Sequence, residues 1–239
     1  MNITIVAPYC SLPSEPYFNR FWYLAELLSQ SHDVLLITSR FRHYDKSFRR
    51  HEDARNASAE RLKVILLDEP GYGKNVSLAR LASHRTFVKN FERLLEGCRP
   101  HEWDIVYSAY PLMATNLLLG RHKAHLGYKL IIDVQDVWPE SFSSVVPFLK
   151  KIPHNLLPFA DRADCAYRCA DALVAVSQTY LARTPFRHGQ NPLLLFRHAQ
   201  SQLRCRYCLQ GDTETSGQWE KCRTAHHGRR PRPRKAETA

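Results

Sequence analysis

Six short runs of apolar, mostly β-branched residues, spaced by stretches with helical periodicity, limit what this chain can fold into. They are Ile3 to Ala7, Asp33 to Thr38, Leu62 to Leu67, Asp104 to Ser108, Tyr128 to Val134 and Ala172 to Val176. Runs of this length without polar alternation suit strands buried on both faces of a parallel sheet. Between them, Phe18, Phe21, Trp22, Ala25 and Leu28 recur at three- and four-residue spacing, as do Leu78, Leu81, Val88, Phe91 and Leu95 behind Ser77 as a cap. Met113 to Lys123 and Asp161 to Cys169 are expected as further helices, and Ser177 as the start of another. The alternation predicts an α/β fold with a doubly wound, Rossmann-like parallel sheet and helices on both faces. Arg40 to Arg61 breaks the pattern, and its charge predicts a surface excursion with a little helix.

The run ending at Val134 opens directly into Gln135-Asp136-Val137-Trp138-Pro139-Glu140-Ser141. Ligands of open parallel sheets collect outside the carboxyl ends of the strands. Asp133, Gln135, Asp136, Trp138 and Glu140 are therefore candidates for the rim of a cleft, with Asn19 and Arg20 able to point into it from the first helix. Each also has a plainer reading: Asp136 as a cap, Pro139 as a turn former, Trp138 packed on Phe142, and Asn19 and Arg20 as structural residues.

Charge divides the chain. Pro185 to Ala239 carries eleven Lys and Arg against four acids, a surplus of seven out of the formal +11. Apart from Leu193 to Phe196 this stretch has no apolar period and cannot offset its ordering entropy by burial. The expected organisation is a domain over 1–184 and an unpatterned, disordered basic tail over 185–239. The seven Cys lack the spacing of a secreted disulfide module, so reduced thiols in a cytoplasmic protein are expected, with no bridge. The N-terminus reads as a strand rather than a signal peptide. No run of about 18 apolar residues is present to span a bilayer.

Two motifs, Asp133-Val134-Gln135-Asp136-Val137-Trp138-Pro139-Glu140-Ser141 and Ala170-Asp171-Ala172-Leu173-Val174-Ala175-Val176-Ser177, resemble the N-terminal domain of retaining, family-four-type bacterial glycosyltransferases of GT-B fold. Pro8-Tyr9 and Phe18-Asn19-Arg20-Phe21 resemble the start of members that build surface polysaccharides. The resemblance covers Met1 to about Arg183. It implies an acceptor-binding half that faces a second, donor-binding half across a cleft. It implies a nucleotide-sugar donor and a sugar or lipid-linked sugar acceptor; no cofactor or metal is expected. Asp133, Asp136 and Glu140 would accept sugar hydroxyl protons, and Trp138 would offer a face to a sugar ring. Many relatives place His where this chain has Gln135, which can hydrogen-bond a sugar but cannot titrate near neutral pH. Cys10 to Tyr17 also lacks the Gly that brings backbone amides close to phosphates. The tail does not resemble the second half, so a truncation or frame shift near Thr184 is expected, leaving the chain inactive alone.

Two further stretches carry chemistry of their own. Val145 to Pro153, with Leu156, Leu157 and Phe159, mixes apolar and basic side chains as a peripheral contact with the inner face of a plasma membrane would. Cys205 and Cys208, with Cys222 and His226, approximate zinc-ligand spacing but lack surrounding core. A non-catalytic sugar- or partner-binding module with a zinc- or nucleic-acid-binding tail is the alternative reading. No specific nucleic acid is expected.

Overall fold

Parallel backbone pairing gathers the apolar runs into one sheet. The computed structural model describes residues 1–17, 19–110, 112–136, 159–177, 179–180, 184 and 191–194. In chain order the elements are β1 (Asn2–Val6), α1 (Arg20–Ser29), β2 (Asp33–Ser39), β3 (Phe41–Arg42), β4 (Ser47–Phe48), α2 (His51–Ala57) and β5 (Leu62–Leu67). There follow α3 (Leu78–Glu96), β6 (Ile105–Tyr110), α4 (Met113–Leu126), β7 (Lys129–Val134), α5 (Ala160–Arg168), β8 (Ala172–Ala175) and β9 (Asn191–Leu194). The main sheet has the order β5-β2-β1-β6-β7-β8-β9, with every pairing parallel. β3 and β4 form a separate antiparallel hairpin. The α/β, doubly wound sheet read from the sequence is the observed fold.

Alternation along each strand fills two cores. Ile3, Ile5 and Ala7 pack with Phe21, Ala25 and Ala54 on the face covered by α1 and α2. Val6, Ile37 and Ile132 pack with Phe87, Phe91, Leu119 and Tyr167 on the opposite face, under α3, α4 and α5. Each large side chain buried in this way contributes roughly 1.5–3 kcal/mol. Gly120, in the middle of α4, lets Cys169 approach so closely that an added Cβ would meet its Cβ and Sγ at 2.5 Å.

Three sequence expectations need correction. In α3, Ser77 caps as expected by accepting from the Arg80 amide, but Leu78 and Leu81 are exposed. The helix is 19 residues long against six for β5, about 28 Å against about 20 Å. Its first turns therefore overhang the carboxyl edge of the sheet, where no strand of the described residues lies beneath them. Within the stretch read as an unpatterned tail, Asn191–Leu194 pairs with β8 as an edge strand. Edge position is compatible with Pro192, which has no N–H to donate.

The charged excursion after β2 is also less superficial than its composition implies. Phe41 and Arg49 are buried. Arg49 donates from Nε and Nη2 to the two carboxylate oxygens of Glu15 at 2.5 and 2.8 Å, and from Nη2 to the Cys10 carbonyl at 2.7 Å. It also donates to the Ser39 carbonyl. Replacing Arg49 with Met leaves the Glu15 carboxylate, 6% exposed, with only the more distant Arg42 at 4.0 Å among the described residues. The expected loss in urea denaturation is about 3 kcal/mol, the lower end of the range for breaking a buried pair.

Candidate functional site

In a doubly wound sheet the crevice opens where strand order reverses. Here that point lies between β1 and β6, and the chain leaving β1, β6 and β7 borders it. Register places Asp133 beside Ala109 on β6. Its side chain lies on the α1 face with Tyr107, whose hydroxyl donates to Oδ2 at 2.8 Å. Arg20, the first residue of α1, donates from Nη2 to Oδ1 and forms an ion pair. The three residues thus come from three elements and meet at one carboxylate.

Burial dominates the chemistry of Asp133, which is 1% exposed. Loss of water pushes its pKa up to about 6, against the lowering effect of Arg20 and of the hydrogen bonds from Tyr107 and Arg20. At neutral pH the group remains ionised and paired. Arg20 retains an unmet need, because its Nε is buried with no hydrogen-bond partner among the described residues while the side chain as a whole is about a third exposed. A buried donor without a partner costs roughly 1–3 kcal/mol. An acceptor atom brought by a ligand would satisfy it.

The other sequence candidates divide clearly. Asn19 caps α1: Oδ1 accepts from the Phe21 amide at 2.9 Å and Nδ2 donates to the Tyr9 carbonyl at 3.2 Å. Its amide is committed to holding the loop after β1 against the helix. Gln135 is half-buried and Asp136 exposed, in a bend just beyond β7. Trp138 and Glu140 lie outside the described residues, as do the 145–157 part of the proposed membrane contact and Cys205, Cys208, Cys222 and His226. Phe159, the last residue of that contact, is exposed. Among the described residues no helix is long and apolar enough to cross a membrane.

Sequence reading missed Tyr107, a strand residue with no local mark of function. It also missed Tyr9, His43, Lys46, Tyr72, Arg80 and His84, which assemble beyond the carboxyl ends of β1, β2 and β5. An open cavity of about 590 Å³ lies at the opposite end of the strands, lined by Asn2, Asp33, Arg61, Arg93, Glu102 and Trp103. The carboxyl end is favoured here, since it holds the buried carboxylate and the unpartnered guanidinium donor.

No family model and no curated protein matches the sequence. Among solved structures, the chain is similar to a sucrose-phosphate synthase from Thermosynechococcus elongatus, at 10% identity, TM-score 0.48, covering 95% of this chain and 98% of that one. It is similar to Anabaena HepE in complex with UDP and glucose, at 15% identity, TM-score 0.45, covering 82% and 44%. A third is Arabidopsis thaliana UGT89C1 complexed with UDP, at 12% identity, TM-score 0.47, covering 81% and 51%. The chain spans about half the length of the last two. None of the three reaches a TM-score of 0.5, so the functional assignment rests on the chain's own residues.

The titration of Asp133 gives a direct check on the site. Its folded pKa of about 6 lies above the ordinary 3.8, so the native state binds this proton more tightly than the unfolded chain. The stability it contributes is full below about pH 4 and is lost as pH rises through 6. In urea denaturation between pH 4 and 7, wild type should lose stability relative to Asp133→Asn by on the order of 2 kcal/mol. A difference that stays flat across that range would contradict the assigned environment.

Proposed function

We propose that this chain is the acceptor-binding half of a retaining glycosyltransferase of GT-B type. The observation that carries the reading is the meeting of Arg20 and Asp133, from two stretches that resemble such enzymes, with Tyr107 beside the switch point of a doubly wound sheet. In a retaining transfer the acceptor hydroxyl must reach the anomeric carbon while charge on the departing diphosphate is neutralised. The donor-binding half supplies that neutralisation, and this half holds the acceptor. Asp136 and Gln135 hydrogen-bond acceptor hydroxyls at the rim. Asp133 is a positioning residue: fixed by Tyr107, it holds the guanidinium of Arg20, whose Nε donates to the incoming sugar. Trp138 and Glu140 complete the acceptor wall by their place in the motif. The donor is a nucleotide-sugar and the acceptor a polysaccharide end or lipid-linked sugar, met at the cytoplasmic face of a membrane.

Saturation-transfer NMR of the full chain with a panel of oligosaccharides, followed by titration, tests this reading. Saccharide binding should weaken at least tenfold in a Gln135→Ala, Asp136→Ala double variant, with the fold intact by circular dichroism. Salt-sensitive binding to nucleic acid, with no saccharide response, would overturn it.

A further inference from the structure

The group beyond the carboxyl ends of β1, β2 and β5 has a distinct chemistry. Tyr9 and His84 share a hydrogen bond of 2.6 Å between Oη and Nε2, and His43 and Tyr72 share one of 2.6 Å between Nδ1 and Oη. Tyr72 forms a buried floor. Over its ring stand Lys46, with Nζ 4.8 Å from the centroid, and Arg80, with Cζ at 5.6 Å. Both cations take only neutral partners from the described residues. Lys46 donates to the His43 carbonyl and Asn75 Oδ1, and Arg80 to the Asn75 carbonyl. Lys46 Nζ has three protons and so retains one.

Two acids border the group, Glu69 and Asp45. Glu69 is buried beneath and accepts hydrogen bonds from the Ser39 and Ser83 hydroxyls. Asp45, beside Lys46 in the β3–β4 turn, is taken up by Arg42 and Ser47. Burial holds both imidazoles down to a pKa of about 4, with Lys46 and Arg80 adding to the effect at His43 and Arg80 and His43 adding to it at His84. The local potential is positive. Lys46 also sits at φ 59, in the left-handed region that a Lys seldom adopts. The β3–β4 turn therefore presents a cation at a position better suited to Asn or Gly.

A ring platform continues the group outward. Tyr17, from the loop after β1, stacks on Tyr44 with centroids 4.7 Å apart and planes 25° from parallel, and both are exposed. Tyr44 in turn meets the His43 ring edge-on at 5.8 Å. Exposed aromatic faces beside hydrogen-bonding groups suit a flat, partly apolar ligand such as a sugar ring.

We propose that Lys46, Arg80, His43 and His84 form a binding site for an anionic group, carboxylate or phosphate, borne by a saccharide whose ring rests on Tyr17 and Tyr44. This deepens the acceptor reading by assigning an acidic acceptor, and it rests on that reading for the acceptor role alone. Anion binding itself needs neither transfer activity nor a donor half.

Titration of the full chain with glucuronate, glucose 1-phosphate, inorganic phosphate and glucose, followed by imidazole carbon–proton NMR and calorimetry, tests the site. Glucuronate or glucose 1-phosphate should shift the His43 and His84 resonances and bind at least tenfold more tightly than glucose. A preference between the two identifies the anion as carboxylate or phosphate, and inorganic phosphate alone should bind more weakly than the sugar phosphate. The Lys46→Asn, Arg80→Gln double variant should lose at least tenfold in affinity for the charged sugars, while circular dichroism stays unchanged. Asn tolerates the left-handed turn, which protects the fold at Lys46. Binding that survives the double substitution, or anionic sugars that leave both imidazoles unshifted, would overturn the proposal. If oligosaccharide binding still depends on Gln135 and Asp136 in that case, the acceptor reading stands and only the acidic subsite falls.

Discussion

The guanidinium of Arg49 holds together the part of the molecule on which ligand chemistry depends. It closes on Glu15 in a bidentate pair and on the Cys10 carbonyl in the same loop. That loop follows β1 and carries Tyr9 and Tyr17, whereas Arg49 follows the β3–β4 hairpin that carries His43, Tyr44 and Lys46. This buried pair adds to the Tyr17–Tyr44 stack and to the hydrogen bonds His43–Tyr72 and Lys46–Asn75 in holding the loop, the hairpin and the turn before α3 together. A planar donor set matched to a carboxylate fixes relative orientation as well as distance. The aromatic platform and the charged basin can therefore be treated as one surface.

Asp133 and Asp136 show how two intervening residues separate two carboxylates into different roles. Asp133 points inward from β7, loses its water, and is kept ionised at neutral pH by Arg20 and Tyr107. Asp136 lies beyond the strand and remains exposed. An inward carboxylate of this kind can hold a neighbouring side chain, while the outward one is free to meet solvent or ligand. The overhang of α3 adds a comparable effect on the other side of the crevice. The turns that leave Leu78 and Leu81 uncovered also carry Arg80 and His84 past the sheet edge.

Much of the fold was legible because it follows from short-range periodicity. Apolar runs located the main-sheet strands through β8, and Ser77 located the start of α3. Local periodicity says nothing where neighbours in space decide the outcome. Arg49 lies in a charged stretch, and nothing local shows that Glu15 will receive it. Leu78 continues an apolar face but ends beyond the strands that would cover it. Asn191–Leu194 becomes a strand only by pairing with β8.

The sequence by itself determined the alternation of strand and helix, hence the doubly wound sheet, because burial on two faces demands those periods. It also placed Asp133 and Arg20 among the candidate site residues. Only the tertiary structure decided that these two meet each other and Tyr107, that Asn19 is spent on a cap, and that residues from Tyr9 to His84 form a cationic basin. The physical reason is that strand register and the closure of long crossovers set such meetings, and neither is encoded in the neighbourhood of any one residue.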